Sequence, residues 1–325
     1  MSFENCVNDG TVTGSQGVGG FVGQVEDNTN MDMTISNSTS NGDVTGSDVV
    51  GGFVGWIGRN TNMTMTISNS TNNGNVIGGG NVGGFVGFIV GNTNMTMTIS
   101  NSVNNGDVTG SSFVGGFVGE VYSFSWSLFI INSANRGGVQ AKSGMACGVF
   151  CVDPEYNINV NTTILNSINK GSVNARTNVY GITNNITKAR NMVSMGDVTS
   201  SSGSYSFWNT STDVDLFFGL KSKCKNCGAN ATLFEHNTNT RFYEVVESHK
   251  LVHELLNDEA VSQHFGMVWT SELELVDKVN LTVNVSGLLE ASFEVESGSR
   301  LNEVKALDSF WKEEYGFVGW GNQKE

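Results

Sequence analysis

The chain has 325 residues, with 41 glycines, about 40 asparagines, a single proline and only 15% charged residues. Low charge and one proline are the opposite of a disordered composition, and no apolar run approaches the roughly 18 residues of a membrane-spanning helix. A net charge of −14 argues against nucleic acid, whose phosphates call for clustered Lys and Arg, and does not identify the ligand, whether protein or carbohydrate.

The first half is a repeat. The string Asn37 to Gly46 returns at Asn69 to Gly78 and at Asn101 to Gly110, and Val50-Gly51-Gly52-Phe53-Val54-Gly55 has copies starting at Val18, Val82 and Val114. Phe21, Phe53, Phe85 and Phe117 are spaced by 32 residues each time. A fixed period of about 20–50 residues is the signature of a solenoid, propeller or array. Looser copies follow from Asn132, Asn166 and Asn191, ending near Trp208.

Within one period the pattern predicts three strands: Asp43 to Thr45, Gly52 to Ile57, and Met63 to Ile67. The last alternates strictly, so Met63, Met65 and Ile67 face inward and Thr64 and Thr66 outward. Asn41-Gly42 and Asn73-Gly74 sit where the chain must turn. A propeller blade needs about 40–45 residues and four strands. The fold expected is therefore an all-β parallel β-solenoid of about 32-residue, three-strand coils over residues 1–208. Equivalent residues would lie about 4.8 Å apart. Phe21, Phe53, Phe85 and Phe117 would form one inward stack, beside rows of Met63/Met95 and Ile35/Ile67/Ile99. Asn69, Asn101, Asn132 and Asn166 would form an amide ladder at a turn.

These motifs carry a family resemblance. Gly-Phe-Val-Gly followed by Ile-x-Asn-Ser-x-x-x-Gly-x-Val-x-Gly resembles the GLUG repeat of bacterial and protist surface proteins, closely over about residues 5–125 and loosely over 126–208. The family's Asn-Cys before the turn is matched by Asn5-Cys6, and later copies use Ser. The resemblance implies a non-enzymatic, extracellular or cell-surface, adhesin-like protein.

Farther along, Cys147 and Cys151 read as core residues of one strand. Four residues at about 3.3 Å each would hold them about 13 Å apart, too far to bond. Past residue 200 the charged density roughly doubles. Residues 1–200 hold 12 acidic and 7 basic side chains, and residues 201–325 hold 19 and 10. A mixed α/β linking or capping region is expected over 209–275, with helical spacing between Phe242 and Phe265. Over 276–325, strands at Leu281–Val285 and Ala291–Val295 precede helical spacing from Leu301 to Trp311. The closing Gly-Phe-Val-Gly-Trp makes residues 279–320 similar to the β-grasp B-repeat of internalin-type proteins. Met1-Ser2-Phe3-Glu4-Asn5 lacks the basic and apolar regions of a secretory signal. Both ends read as cut from a longer surface protein.

Three constellations could carry chemistry. Cys224 and Cys227, with His249 and His253 four apart on a helix, could present four ligands to zinc. Their spacer of 21 residues exceeds the usual 12–15 or so, so a local disulfide or free thiols remain as readings, and no cofactor is otherwise implied. Thr64, Thr66, Thr96 and Thr98 make two ranks of Thr-x-Thr that resemble an ice-binding surface, although β-propensity alone puts Thr on a solvent face. Asp43, Asp107 and Asp197 share one coil position with Asn75. Acid rows on a solenoid resemble polysaccharide-cleaving β-helix enzymes of the lyase or hydrolase type, where paired carboxyls do acid–base work. The competing role for these Asp residues is local backbone bonding in a turn.

Overall fold

The computed structural model describes residues 1–122, 125–153 and 160–200, and beyond them seven strands between Ser204 and Glu296. None of the described residues is helical, and no helix there is long and apolar enough to cross a membrane. Contacts divide the chain into two units, Met1–Ser248 and His249–Glu325.

The first unit is a parallel β-solenoid. One turn runs through Thr64–Ser68, Thr71–Asn72, Val76–Ile77, Val82–Gly83 and Val86–Val90. The first two strands belong to a 14-stranded sheet, face I, and the next three to sheets of eight, seven and five strands, faces II, III and IV. Register follows the repeat: Thr64 pairs with Thr96, Val76 with Val108 and Val54 with Val86. Later coils change length. The step from Asn132 to Asn166 is 34 residues and the step to Asn191 is 25.

The coil has five short strands where the sequence pattern predicts three. Two kinds of corner make the difference. Face I bends at an asparagine in the left-handed region with φ of 46–55°, which stands between two strands at Asn37, Asn69, Asn101 and Asn132 and inside one continuous strand at Asn166 and Asn191. Asparagine tolerates this conformation better than most residues. Between faces III and IV stands the second glycine of each Gly-Gly pair. A Cβ on Gly52 would lie 2.1 Å from the carbonyl oxygen of Gly84, and one on Gly84 2.2 Å from that of Gly116. Only glycine permits so close a stacking of backbones.

Side-chain alternation then fills the interior. Met33, Met65 and Met97 stack in register, as do Ile35, Ile67 and Ile99, all at 1% exposure or less. The rings of Phe21, Phe53, Phe85 and Phe117 stack with centroids 4.9, 4.7 and 5.1 Å apart. Phe53, Phe85 and Phe117 are fully buried, Phe21 is half-buried, and Phe3 meets it edge-on at 6.5 Å. Successive coils place the rings one strand spacing apart, which is also a favourable stacking distance.

Polar groups in the corners are satisfied along the stack rather than within the coil. Asn132 donates to Asn101 at 3.0 Å, Asn166 donates to Asn132 at 3.0 Å, and Asn191 donates to Asn166. Asn69, at the same corner, is exposed. A second ladder, Asn72–Asn104–Asn135–Asn169, is wholly buried. Each of the first three donates Nδ2 to the next at 2.8 Å, and the same nitrogens also donate to the carbonyls of Gly74, Gly106 and Gly137. A third, of Ser38, Ser70, Ser102, Ser133 and Ser167, accepts the backbone N–H of the preceding coil, and Cys6 occupies its first position.

Cys147 and Cys151 require a correction. They are joined by a disulfide, with Cα atoms 5.6 Å apart. They do not share one strand: Met145–Cys147 lies on face III and Phe150–Val152 on face IV. Gly148 occupies the corner equivalent to Gly52, so the chain folds back between the two sulfurs.

Parallel stacking continues past residue 208. Thr210–Gly219 pairs with Ile186–Ser194, and Phe242–Glu244 pairs with Phe217–Gly219. A strand therefore opens the segment in which helical spacing was expected from Phe242. The rest of that helix and the one over 301–311 lie outside the described residues. In the second unit, Met267–Trp269, Leu275–Val285 and Leu289–Glu296 form an antiparallel three-stranded sheet, which contains the expected strands Leu281–Val285 and Ala291–Val295.

Candidate ligand-binding face

Face II turns alternate residues in and out, as a strand must. Val108, Val139, Val173 and Val198 point into the core, each at 2% exposure or less. Thr109, Gln140, Asn174 and Thr199 follow them on the outer side, one per coil and in register. At about 4.8 Å per coil this row is some 14 Å long. Its side chains are two hydroxyls and two amides, groups that both donate and accept hydrogen bonds.

Cations flank the row in two successive coils. Arg136 and Lys170 precede Gln140 and Asn174 by four residues, and Lys142 and Arg176 follow them by two. Arg136, Lys142 and Arg176 are exposed and Lys170 is half-buried. Two hollows open along this face. One, of about 510 Å³, is lined by Lys142, Arg176 and Ser200; the other, of about 310 Å³, by Arg136, Lys170 and Asp107. Gln140 and Asn174 line both, so the hollows share a wall. Asp107 is the one carboxylate among the lining residues, and its Oδ1 accepts the backbone N–H of Gly138 at 2.7 Å.

The local charge is opposite to that of the chain as a whole. Residues 1–125 carry one Lys or Arg against nine Asp or Glu, whereas residues 126–200 carry six against three. The lone N-terminal cation, Arg59, is held by Asp27 at 2.8 Å and Glu26 at 2.6 Å. A charge count divided at residue 200 conceals this reversal, and the looser later copies hold the residues that produce it.

Of the residues singled out from the sequence, Asp107 lines one hollow and Cys224 lies in the next strand of the face II sheet, and the other described ones lie outside the hollows. Thr64 and Thr96 are exposed on the outer side of face I, with Thr66 and Thr98 half-exposed beside them. The pairs Thr64/Thr96 and Thr66/Thr98 are in register. Asp32 ends the Thr64/Thr96 rank on one side, where Thr34 continues the Thr66/Thr98 rank, and Ser127 and Phe129 end both on the other. Of the residues considered for zinc, Cys224 lies in a strand paired with Val198–Thr199. Cys227, His249 and His253 lie outside the described residues. The acid row bonds to backbone: Asp43 Oδ1 accepts the N–H of Asn75 at 2.8 Å, and Asn75 Oδ1 that of Asp107 at 3.0 Å.

One buried carboxyl was not singled out in the sequence. Glu120 is 6% exposed and accepts a hydrogen bond from Asn81 Nδ2. It stands in register with Phe88 below and Cys151 above. Burial, followed by the charge of Asp153, raises its pKa to about 7 from the ordinary 4.5, against the opposing effect of Asn81. The folded state thus holds a proton that the unfolded chain releases. Stability should fall as pH rises from about 4.5 to about 7, by up to about 3 kcal/mol. Glu120→Gln should melt with the wild type at pH 5 and above it at pH 8. Parallel pH profiles for the two proteins would contradict this assignment.

No protein-family model matches the chain, and no curated protein matches it. A solved structure from Bacteroides ovatus, provisionally described as an immunoglobulin A1 protease, is similar at 13% identity with a TM-score of 0.40. The match covers 82% of this chain and 91% of that one.

Proposed function

We propose that this chain is a non-enzymatic, extracellular or cell-surface repeat protein, an interaction scaffold that holds its ligand on face II. The observation that carries the reading is the row Thr109–Gln140–Asn174–Thr199 with cations on both flanks. Successive coils supply the same kind of group at a fixed spacing, which suits an extended ligand running along the solenoid. The Cys147–Cys151 disulfide supports an oxidising compartment, and the GLUG-like motifs support a surface protein.

The rival reading, a carbohydrate-cleaving enzyme, calls for two carboxyls about 5–9.5 Å apart across the scissile bond. The face II hollows bring one, Asp107, already engaged by Gly138. The test is to incubate the protein with a panel of polysaccharides and proteins, then measure both retention and the length of the recovered chains. Retention with undiminished length is expected. Shortened chains would overturn the scaffold.

A further inference from the structure

We infer that the face II groove takes an anionic polysaccharide, its carboxylate or sulfate groups held by Arg136, Lys142, Lys170 and Arg176 and its hydroxyls by Gln140 and Asn174. The inference rests on the scaffold reading and names its ligand. Two features of the groove point to it. The groove has a polar floor of amides and hydroxyls, which complements sugar hydroxyl groups. It also has cations on both sides of that floor in two successive coils. Arg and Lys together bind carboxylate or sulfate through charge-assisted hydrogen bonds, roughly twice as strong as neutral ones.

Charge also determines where along the solenoid such a chain can sit. The first 125 residues carry nine acids against one cation, and like charges repel a polyanion from those coils. The ligand is thereby directed to the cationic coils from Arg136 onward, with Asp107 and Thr109 at the acidic end of the groove. Nucleic acid fits less well. None of the groove's lining residues is aromatic, so exposed bases would find no stacking platform, the interaction that supplies about 1–3 kcal/mol per base in single-strand binding. An acidic peptide would satisfy the cations, but it brings one backbone donor and one acceptor per residue, against several hydroxyls on each sugar ring, and so would use the amide floor less fully.

The experiment is a binding titration of the full chain at low ionic strength, with polygalacturonate as the carboxylated probe and dextran sulfate as the sulfated one. Neutral dextran, an oligothymidylate and polyglutamate are the comparison probes. At least one anionic polysaccharide should bind about tenfold or more tightly than every comparison probe, and added salt should weaken it. Whichever of the two binds identifies the anionic group. Lys142→Gln/Arg176→Gln and, on the opposite flank, Arg136→Gln/Lys170→Gln should each weaken binding about tenfold or more while the protein still melts cooperatively as a folded chain. Arg59→Gln should leave binding unchanged. Binding of neutral dextran, oligothymidylate or polyglutamate as tight as that of the anionic sugars would overturn the inference, as would an equal loss in Arg59→Gln. Salt-sensitive self-association that the Lys142/Arg176 variant abolishes would instead assign the patch to a second copy of the chain. A neutral glycan or a protein bound intact would refute this inference alone, whereas a shortened polysaccharide would refute the scaffold reading beneath it.

Discussion

Phe85→Ala is expected to destabilise the protein by about 3–5 kcal/mol, measured by equilibrium denaturation. The ring has no exposed surface and lies between Phe53 at 4.7 Å and Phe117 at 5.1 Å. The backbone here cannot collapse into the vacated space. Gly84 is already stacked on Gly116, and the Phe85 amide donates to the Phe117 carbonyl at 2.9 Å. Cavity and transfer terms therefore both apply in full. Each coil touches chiefly its neighbours, so a partial transition from the surrounding coils is expected before global loss. A shift below about 1 kcal/mol would mean that the stack does not carry the core.

Asn104→Ala is the second large effect, at about 2–5 kcal/mol. Its buried amide accepts from Asn72 at 2.8 Å and donates to Asn135 at 2.8 Å and to the Gly106 carbonyl at 2.9 Å. Alanine leaves the Asn135 oxygen and the Gly106 carbonyl without this donor, at about 1–3 kcal/mol for each buried group. The exposed counterpart is Asn73, which donates to Asn41 and accepts from Asn105, both at 2.8 Å. Water can replace those bonds, so Asn73→Ala should stay within about 0.5 kcal/mol. Equal losses at the two positions would show that burial does not distinguish the ladders.

Much of the fold was legible because the repeat is nearly exact where it matters. The 32-residue spacing of the phenylalanines and the strict alternation of Met63 to Ile67 specify both the period and the inward face. The corners were less legible. Gly52 reads as the first residue of a strand, although its close approach to Gly84 makes it a bend. The same misreading put Cys147 and Cys151 on one extended segment, whereas Gly148 turns the chain between them. The buried Asn72 ladder was hidden for a related reason. Asparagine beside glycine signals a turn, and nothing local tells whether its amide faces water or the coil above.

The groove was the least visible feature. Its cations are six residues apart within a coil, Arg136 to Lys142 and Lys170 to Arg176, and so do not form a basic run in the sequence. Only stacking brings the two pairs onto one face. The charge reversal near residue 125 was the available signal, and it appears once the chain is divided by coil rather than by overall composition.

The solenoid depends on coils that stack in register, every 32 residues over the first four, and amide hydrogen exchange tests this most directly. The amides of Val44, Val76 and Val108 donate to the next coil at 2.9, 2.8 and 2.8 Å, and those of Phe53 and Phe85 at 3.0 and 2.9 Å. Slow exchange should therefore recur at these positions together, with the exposed turn residues between them exchanging faster. Rapid exchange at Val76 and Phe85, or protection in blocks unrelated to the 32-residue period, would contradict the solenoid.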